Sequence, residues 1–185
     1  METYKQLHLA IGKPEDKKVP SETFFTDFAK KSDEYLIKLW REDGFSSYGN
    51  GLFWTVDPQE YAEIVKDWKI VKPKSIVFGR NAFGELFLLH KNEVYILRIQ
   101  ENDLGNLGPS VYIFLNSTLK EPSLKESYLQ KKLFSKVKKK NGELKADECY
   151  GLFPALPLGG DDEDENAYKC VKIKEYLASL AQMNQ

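Results

Sequence analysis

Cysteine and histidine are scarce, with two of each among 185 residues. Cys149 and Cys170 are too few for a disulfide framework or a thiolate metal site, and nothing forces them together. His8 and His90 have no second His, Cys or acid at ligand spacing, so no metal is expected. Long hydrophobic runs are missing as well: none approaches the roughly eighteen residues that a bilayer span needs. Met1-Glu2-Thr3-Tyr4-Lys5 has no signal-peptide core, and a cytoplasmic location away from any membrane is the expectation. Charge of one sign is not in excess. Lys+Arg number 27 against 28 Asp+Glu, a net charge of −1, and mean hydropathy is −0.50. That balance removes any overall basic field that would draw the molecule to DNA or an anionic membrane. The glycines at 79, 84, 105, 108, 151, 159 and 160 form no phosphate loop or dinucleotide fingerprint, so no nucleotide cofactor is indicated. No nucleophile elbow surrounds any Ser or Cys, although a Ser/His/Asp or Cys/His site stays open because such partners meet only in the fold.

The length suits one compact domain or two small packed ones, and a chain of this mass buries roughly 70% of its unfolded surface without help from disulfides or metal. Asp57-Pro58 marks the clearest helix start, with Glu60 placed for a capping box and Tyr61, Ile64, Val65 and Trp68 in one apolar stripe. Ser32 is positioned to cap a helix carrying Leu36, Leu39 and Trp40 that stops at Gly44, and Ser21 to open one carrying Phe24, Phe25 and Phe28. The first third therefore reads as mainly helical, broken by a turn over 45–51 and a short strand over 52–56. From Ser75 the period changes. Runs 76–78, 85–90 and 94–99 have the pattern of an antiparallel meander, apolar on both faces and so covered on both sides by helices. Val111–Leu115 fits either a strand or a buried helical turn. Ser123 with Glu126 predicts a capping box for a helix running through Leu129, Leu133 and Val137 to Asn141-Gly142, and Ile173, Tyr176, Leu177 and Leu180 mark a last helix. The fold class is α+β: a mainly antiparallel sheet flanked by helices, with a boundary between subdomains expected in the stretch 102–109.

Two charge runs stand out. Lys131, Lys132, Lys136, Lys138, Lys139 and Lys140 lie within ten residues without an acid. They read as a solvated helix face, with a nucleic-acid-binding module over 131–140 as the alternative. Asp161, Asp162, Glu163, Asp164 and Glu165 form an exposed loop, because adjacent carboxylates repel one another once desolvated. Around Asn50-Gly51, the aromatics Phe45, Tyr48, Phe53 and Trp54 either anchor a turn in the core or form a protruding interface loop. An enzyme using Glu148 and Tyr150 as acid and base ranks last.

Three stretches together resemble a known combination. Residues 39–45 (LWREDGF) and 48–61 (YGNGLFWTVDPQEY) are similar to the opening of the bacterial GAD-like domain, and 80–87 (RNAFGELF) to its next block. Residues 147–160 (DECYGLFPALPLGG) resemble the carboxy-terminal domain of type VI secretion immunity proteins that neutralise a DNase effector. The resemblance implies a GAD-like region over 1–104 and an immunity-protein region over 105–185, packed as one unit. It implies a cytoplasmic protein without catalytic activity or cofactor, whose partner is a cognate toxin of nuclease type rather than nucleic acid. On this reading Asn50, Gly51, Trp54, Asp57, Pro58, Arg80, Phe83, Gly84, Glu148, Tyr150, Gly151, Gly159 and Gly160 serve the fold. The toxin is expected at Asp161, Asp162, Glu163, Asp164 and Glu165, with Tyr48 and Phe53.

Overall fold

The computed structural model describes residues 4–28 and 32–184. Among them the chain forms α1 (Lys5–Ile11), β1 (Pro14–Lys18), α2 (Glu22–Phe28), α3 (Glu34–Glu42), β2 (Phe45–Tyr48), β3 (Phe53–Thr55) and α4 (Pro58–Tyr61). The meander β4 (Ile76–Asn81), β5 (Leu86–His90), β6 (Glu93–Arg98) and β7 (Asp103–Gly108) follows. The carboxy-terminal part holds α5 (Val111–Asn116), α6 (Pro122–Leu129), α7 (Lys131–Asn141), β8 (Glu148–Leu152), β9 (Tyr168–Lys172) and α8 (Ile173–Met183). Strands β1 to β7 make one antiparallel sheet in sequence order, and β8 and β9 pair as a separate ribbon.

The two-faced apolar runs explain the layering. Successive side chains of a strand point to opposite faces, and here each face has its own core. Phe87, Leu89, Val94 and Ile96 join Trp40, Phe53 and Phe114 on one side. Leu86, Leu88, Tyr95 and Leu97 join Trp54, Trp68 and Leu177 on the other. The first core is covered by residues of α1, α2, α3, α5 and α7, the second by α8 and the segment from Tyr61 to Trp68. Leu36, Leu39 and Trp40 of α3 are fully buried, and each such side chain contributes about 1.5–3 kcal/mol of transfer free energy. One edge of the sheet is guarded. β1 is Pro-Glu-Asp-Lys-Lys and almost wholly exposed, a charged sequence that discourages another chain from pairing there.

Several local expectations are corrected. Asp33, not Ser32, caps α3 by accepting from the Tyr35 amide at 2.8 Å. Asp57 does cap α4, accepting from the Gln59 amide at 2.9 Å, but Glu60 makes no capping box; it reaches Lys18 and Lys174 instead. The helix from Pro58 breaks after one turn, and Ile64–Asp67 continue as a 3₁₀ turn that still buries Tyr61, Val65 and Trp68. Residues 45–48 are strand β2 rather than turn, leaving the turn to Gly49, Asn50 and Gly51, all at positive φ. Residues 111–116 are helical. The single helix expected over 123–141 is two, because Gln130 adopts φ 51°, ψ 47° and turns the chain. Ser123 caps nothing, and Glu126 accepts from the Lys132 amide at 3.1 Å, supplying a partner at the start of α7.

Candidate partner interface

The aromatic turn is core. Tyr48 and Phe53 are both 0% exposed, so neither is available to a partner, and the expectation that they touch a toxin is overturned. Burial costs an apolar ring nothing here, while the Tyr48 hydroxyl donates to Asp43 Oδ2 at 2.9 Å. Asp43 is itself buried and also meets His8 Nε2 at 2.8 Å, a link from α1 to the end of α3 that sequence spacing gave no hint of. Asn50 and Gly51 take the left-handed conformations the turn requires, and Trp54 Nε1 donates to the Gly51 carbonyl at 3.1 Å.

The block Arg80–Glu85 forms a joint between the large sheet and the carboxy-terminal part. Asn81 Oδ1 accepts from the Phe83 and Glu85 amides at 3.0 and 3.1 Å. Its Nδ2 donates to Glu85 Oε2 at 2.7 Å and to the Tyr128 carbonyl at 3.0 Å. Arg80, 0% exposed, donates from Nη2 to the Ala146 carbonyl at 3.0 Å and lies 4.6 Å from the Trp54 ring centroid. Burial lowers the Arg80 pKa from its ordinary value, with Tyr61 and Cys149 opposing that shift. The Tyr150 amide donates to the Ala82 carbonyl at 2.9 Å, and Phe83 packs on Tyr150 and Tyr168. Gly84, at φ +88°, takes a backbone conformation that side chains disfavour, and it packs closely against Ile99 and Cys149. Burial, reinforced by the charge of Glu101, pushes the Glu85 carboxyl up to about 8.

Glu148 and Tyr150 form no acid–base pair. The Tyr150 hydroxyl donates to the Gly142 carbonyl and burial raises its pKa, while Glu148 accepts from the Lys145 amide and meets Lys172 at 3.4 Å. Gly151 lets the Tyr176 ring lie against β8; a Cβ there would sit 3.1 Å from that ring. Gly159 is left-handed at φ +83°, and Gly160 packs so tightly that a Cβ would fall 1.9 Å from the Pro154 carbonyl oxygen. Among the described residues no group of His, Cys, Asp or Glu is arranged to hold a metal ion.

The two charge runs, treated separately in the sequence, are neighbours in space. Lys136 pairs with Glu165 at 2.9 Å, and Lys140 donates to Asn166 Oδ1 at 2.6 Å. Lys138 is held by the Asn50 carbonyl at 3.0 Å and by Glu143 at 3.3 Å. Asp161, Asp162, Glu163 and Asp164 face solvent. Asp161 accepts from the Glu163 amide and Asp164 from the Asn166 amide, and Tyr168 donates to the Asp162 carbonyl, so the loop is shaped by its own short-range bonds. Beside it lies a groove of about 490 Å³ between β8, α8 and the segment 153–158. Its rim carries Phe153, Leu158 and Met183, which are 42%, 61% and 47% exposed. No sequence pattern announces this groove, because its walls come from two stretches, 152–158 and 171–183, that meet only in the fold.

A two-part α+β molecule whose parts are stitched by a buried polar block agrees with the family comparisons. The GAD-like domain family matches residues 2–102, and the family described as T6SS immunity protein Tdi1, C-terminal, matches residues 110–184. The chain belongs to the GAD-like domain family and carries the Tdi1-type immunity domain behind it. No curated protein matches it. Among solved structures, the crystal structure of Atu4351 from Agrobacterium tumefaciens superposes with a TM-score of 0.81 at 18% identity, covering 97% of this chain and 88% of that one. That likeness is one of fold. No helix among the described residues is long and apolar enough to cross a membrane.

Proposed function

We propose that this chain is a cytoplasmic immunity protein that binds a cognate secreted toxin and neutralises it by protein–protein contact, with no catalysis of its own. The observation that carries the reading is the match of residues 110–184 to the T6SS immunity protein family. The acidic loop supports a nuclease-type toxin. A nuclease must present a basic surface to the phosphate backbone, and exposed carboxylates at Asp161–Asp164 steer such a surface and compete for it. The test is co-expression with the polypeptide encoded beside this chain's gene. Relief of growth arrest together with a complex on gel filtration is the expected result; arrest that persists with no complex overturns the reading.

Nucleic-acid binding through Lys131–Lys140 is the second reading, and the geometry disfavours it. Three of these lysines are already engaged, and the acidic loop folded against α7 repels a phosphate backbone. A mobility-shift titration with arbitrary DNA should show no steeply salt-dependent binding.

A further inference from the structure

We infer that the β8–α8 groove and the acidic loop beside it form one interface, which receives an apolar side chain projecting from a basic protein surface. The inference rests on the proposed function and adds where, and by what chemistry, the toxin is held. A specific interface combines an apolar centre that supplies most of the affinity with a charged rim that governs encounter and register. Both parts occur here, within three residues of each other in the chain: Leu158 stands on the groove rim and Asp161 opens the acidic run.

The groove is held open by its own bonding. Tyr176 forms its floor, with its hydroxyl accepting from the Leu152 amide at 2.8 Å and meeting Gln100. Gln100 in turn accepts from the Leu156 amide at 3.0 Å, so the segment that makes the far wall is tied to the turn between β6 and β7. The root of the acidic loop is pinned by Gly160 against the Pro154 carbonyl, and its far end by Glu165 on Lys136. Between those pins, Asp161, Asp162 and Glu163 make no ion pair among the described residues, leaving their charge for an incoming cation. Two lysines adjoin the groove, and both are engaged: Lys172, on its wall, pairs with Asp147 and Glu148, and Lys169 lies 5.7 Å from the Phe153 ring centroid. The occupant these features select is therefore a protein surface with Lys or Arg around a projecting Leu or aromatic side chain. A neutral apolar molecule would leave the loop without a role, and a second copy of this chain would bring acidic loop against acidic loop.

Binding kinetics of the neighbouring-gene polypeptide, inactivated in its own active site, test this at several salt concentrations. The Leu158→Ser/Met183→Ser variant should dissociate at least tenfold faster than wild type with little change in association. Replacing Asp161, Asp162, Glu163 and Asp164 with Ser should slow association severalfold and flatten its salt dependence. Ile113→Ser, at an exposed apolar position on α5, should change neither. If the double change lowers the melting temperature, Leu158→Ala alone reads the same quantity. Wild type that binds, with groove variants that dissociate like it, overturns this inference and leaves the immunity reading standing. Wild type that fails to bind removes both. A dimer of this chain that Leu158→Ser/Met183→Ser converts to monomer assigns the groove to a second copy and also overturns the inference.

Discussion

Arg80–Glu85 and Asp161–Glu165 are both crowded with polar groups, yet one is sealed inside the molecule and the other stands in water. In the first, nearly every polar atom has a fixed partner, and those partners come from segments far apart in sequence: Tyr128, Ala146 and Tyr150. In the second, the bonds are local, and the side chains other than Glu165 are left to solvent. The difference teaches where each kind of residue acts. A buried polar cluster specifies how two parts of a chain meet, since each unmade bond there carries the full desolvation cost. An exposed charged run contributes little to folding and is free to serve recognition.

The largest effect that would break this contrast is at Asn81. Asn81→Leu removes four hydrogen bonds and strands two buried amides and a carbonyl, which should destabilise the fold by about 3–5 kcal/mol in urea titration. A loss under 1 kcal/mol would show that the joint is not what couples the parts. Next comes Gly160→Ala, whose Cβ must displace the Pro154 carbonyl; a cost of about 1–3 kcal/mol is expected from overpacking.

A smaller, pH-resolved effect belongs to Glu85. Its carboxyl titrates near 8 in the folded chain against an ordinary 4.5, so the folded state binds the extra proton between those values. Its contribution is fully present below the lower value and is lost as pH rises through 8, with a slope on the order of 1 kcal/mol per pH unit. Glu85→Gln should flatten that slope and be the more stable form at pH 9, read from melting curves across pH 5–9. The smallest effect is expected from the loop: serine at all five positions 161–165 should shift stability by no more than about 0.5 kcal/mol, because the Lys136–Glu165 pair it removes is solvent-exposed. A larger loss would assign the loop to the fold.

Much of this architecture was legible in the sequence where a pattern is local. The meander showed in runs of β-branched and aromatic residues, and the last helix in the spacing of Ile173, Tyr176, Leu177 and Leu180, all of which are buried. What stayed hidden depends on contacts across the chain. Phe45-Ser46-Ser47-Tyr48 reads as a turn by composition but becomes a strand because β1 and β3 flank it and Thr55 bonds the Ser46 amide at 2.9 Å. The break at Gln130 has no glycine or proline to announce it. At the candidate site, the acidic run was visible as charge, whereas its contact with the lysine helix and the nearby groove exist only once residues 131–183 are folded together. Tyr48 and Phe53 were misjudged because aromatic clustering alone does not distinguish a core from a protruding loop.

The two thiols occupy contrasting settings on the β8–β9 ribbon. Cys170 is exposed, while Cys149 is sealed beneath Gly84 and Arg80, its pKa driven up to about 12 by burial. Under mild alkylation Cys170 is capped first, and Cys149 only when the ribbon parts from the sheet. The unmodified chain is thus its own probe of that opening, and the rate of the slow capping would report whether a bound toxin holds it shut.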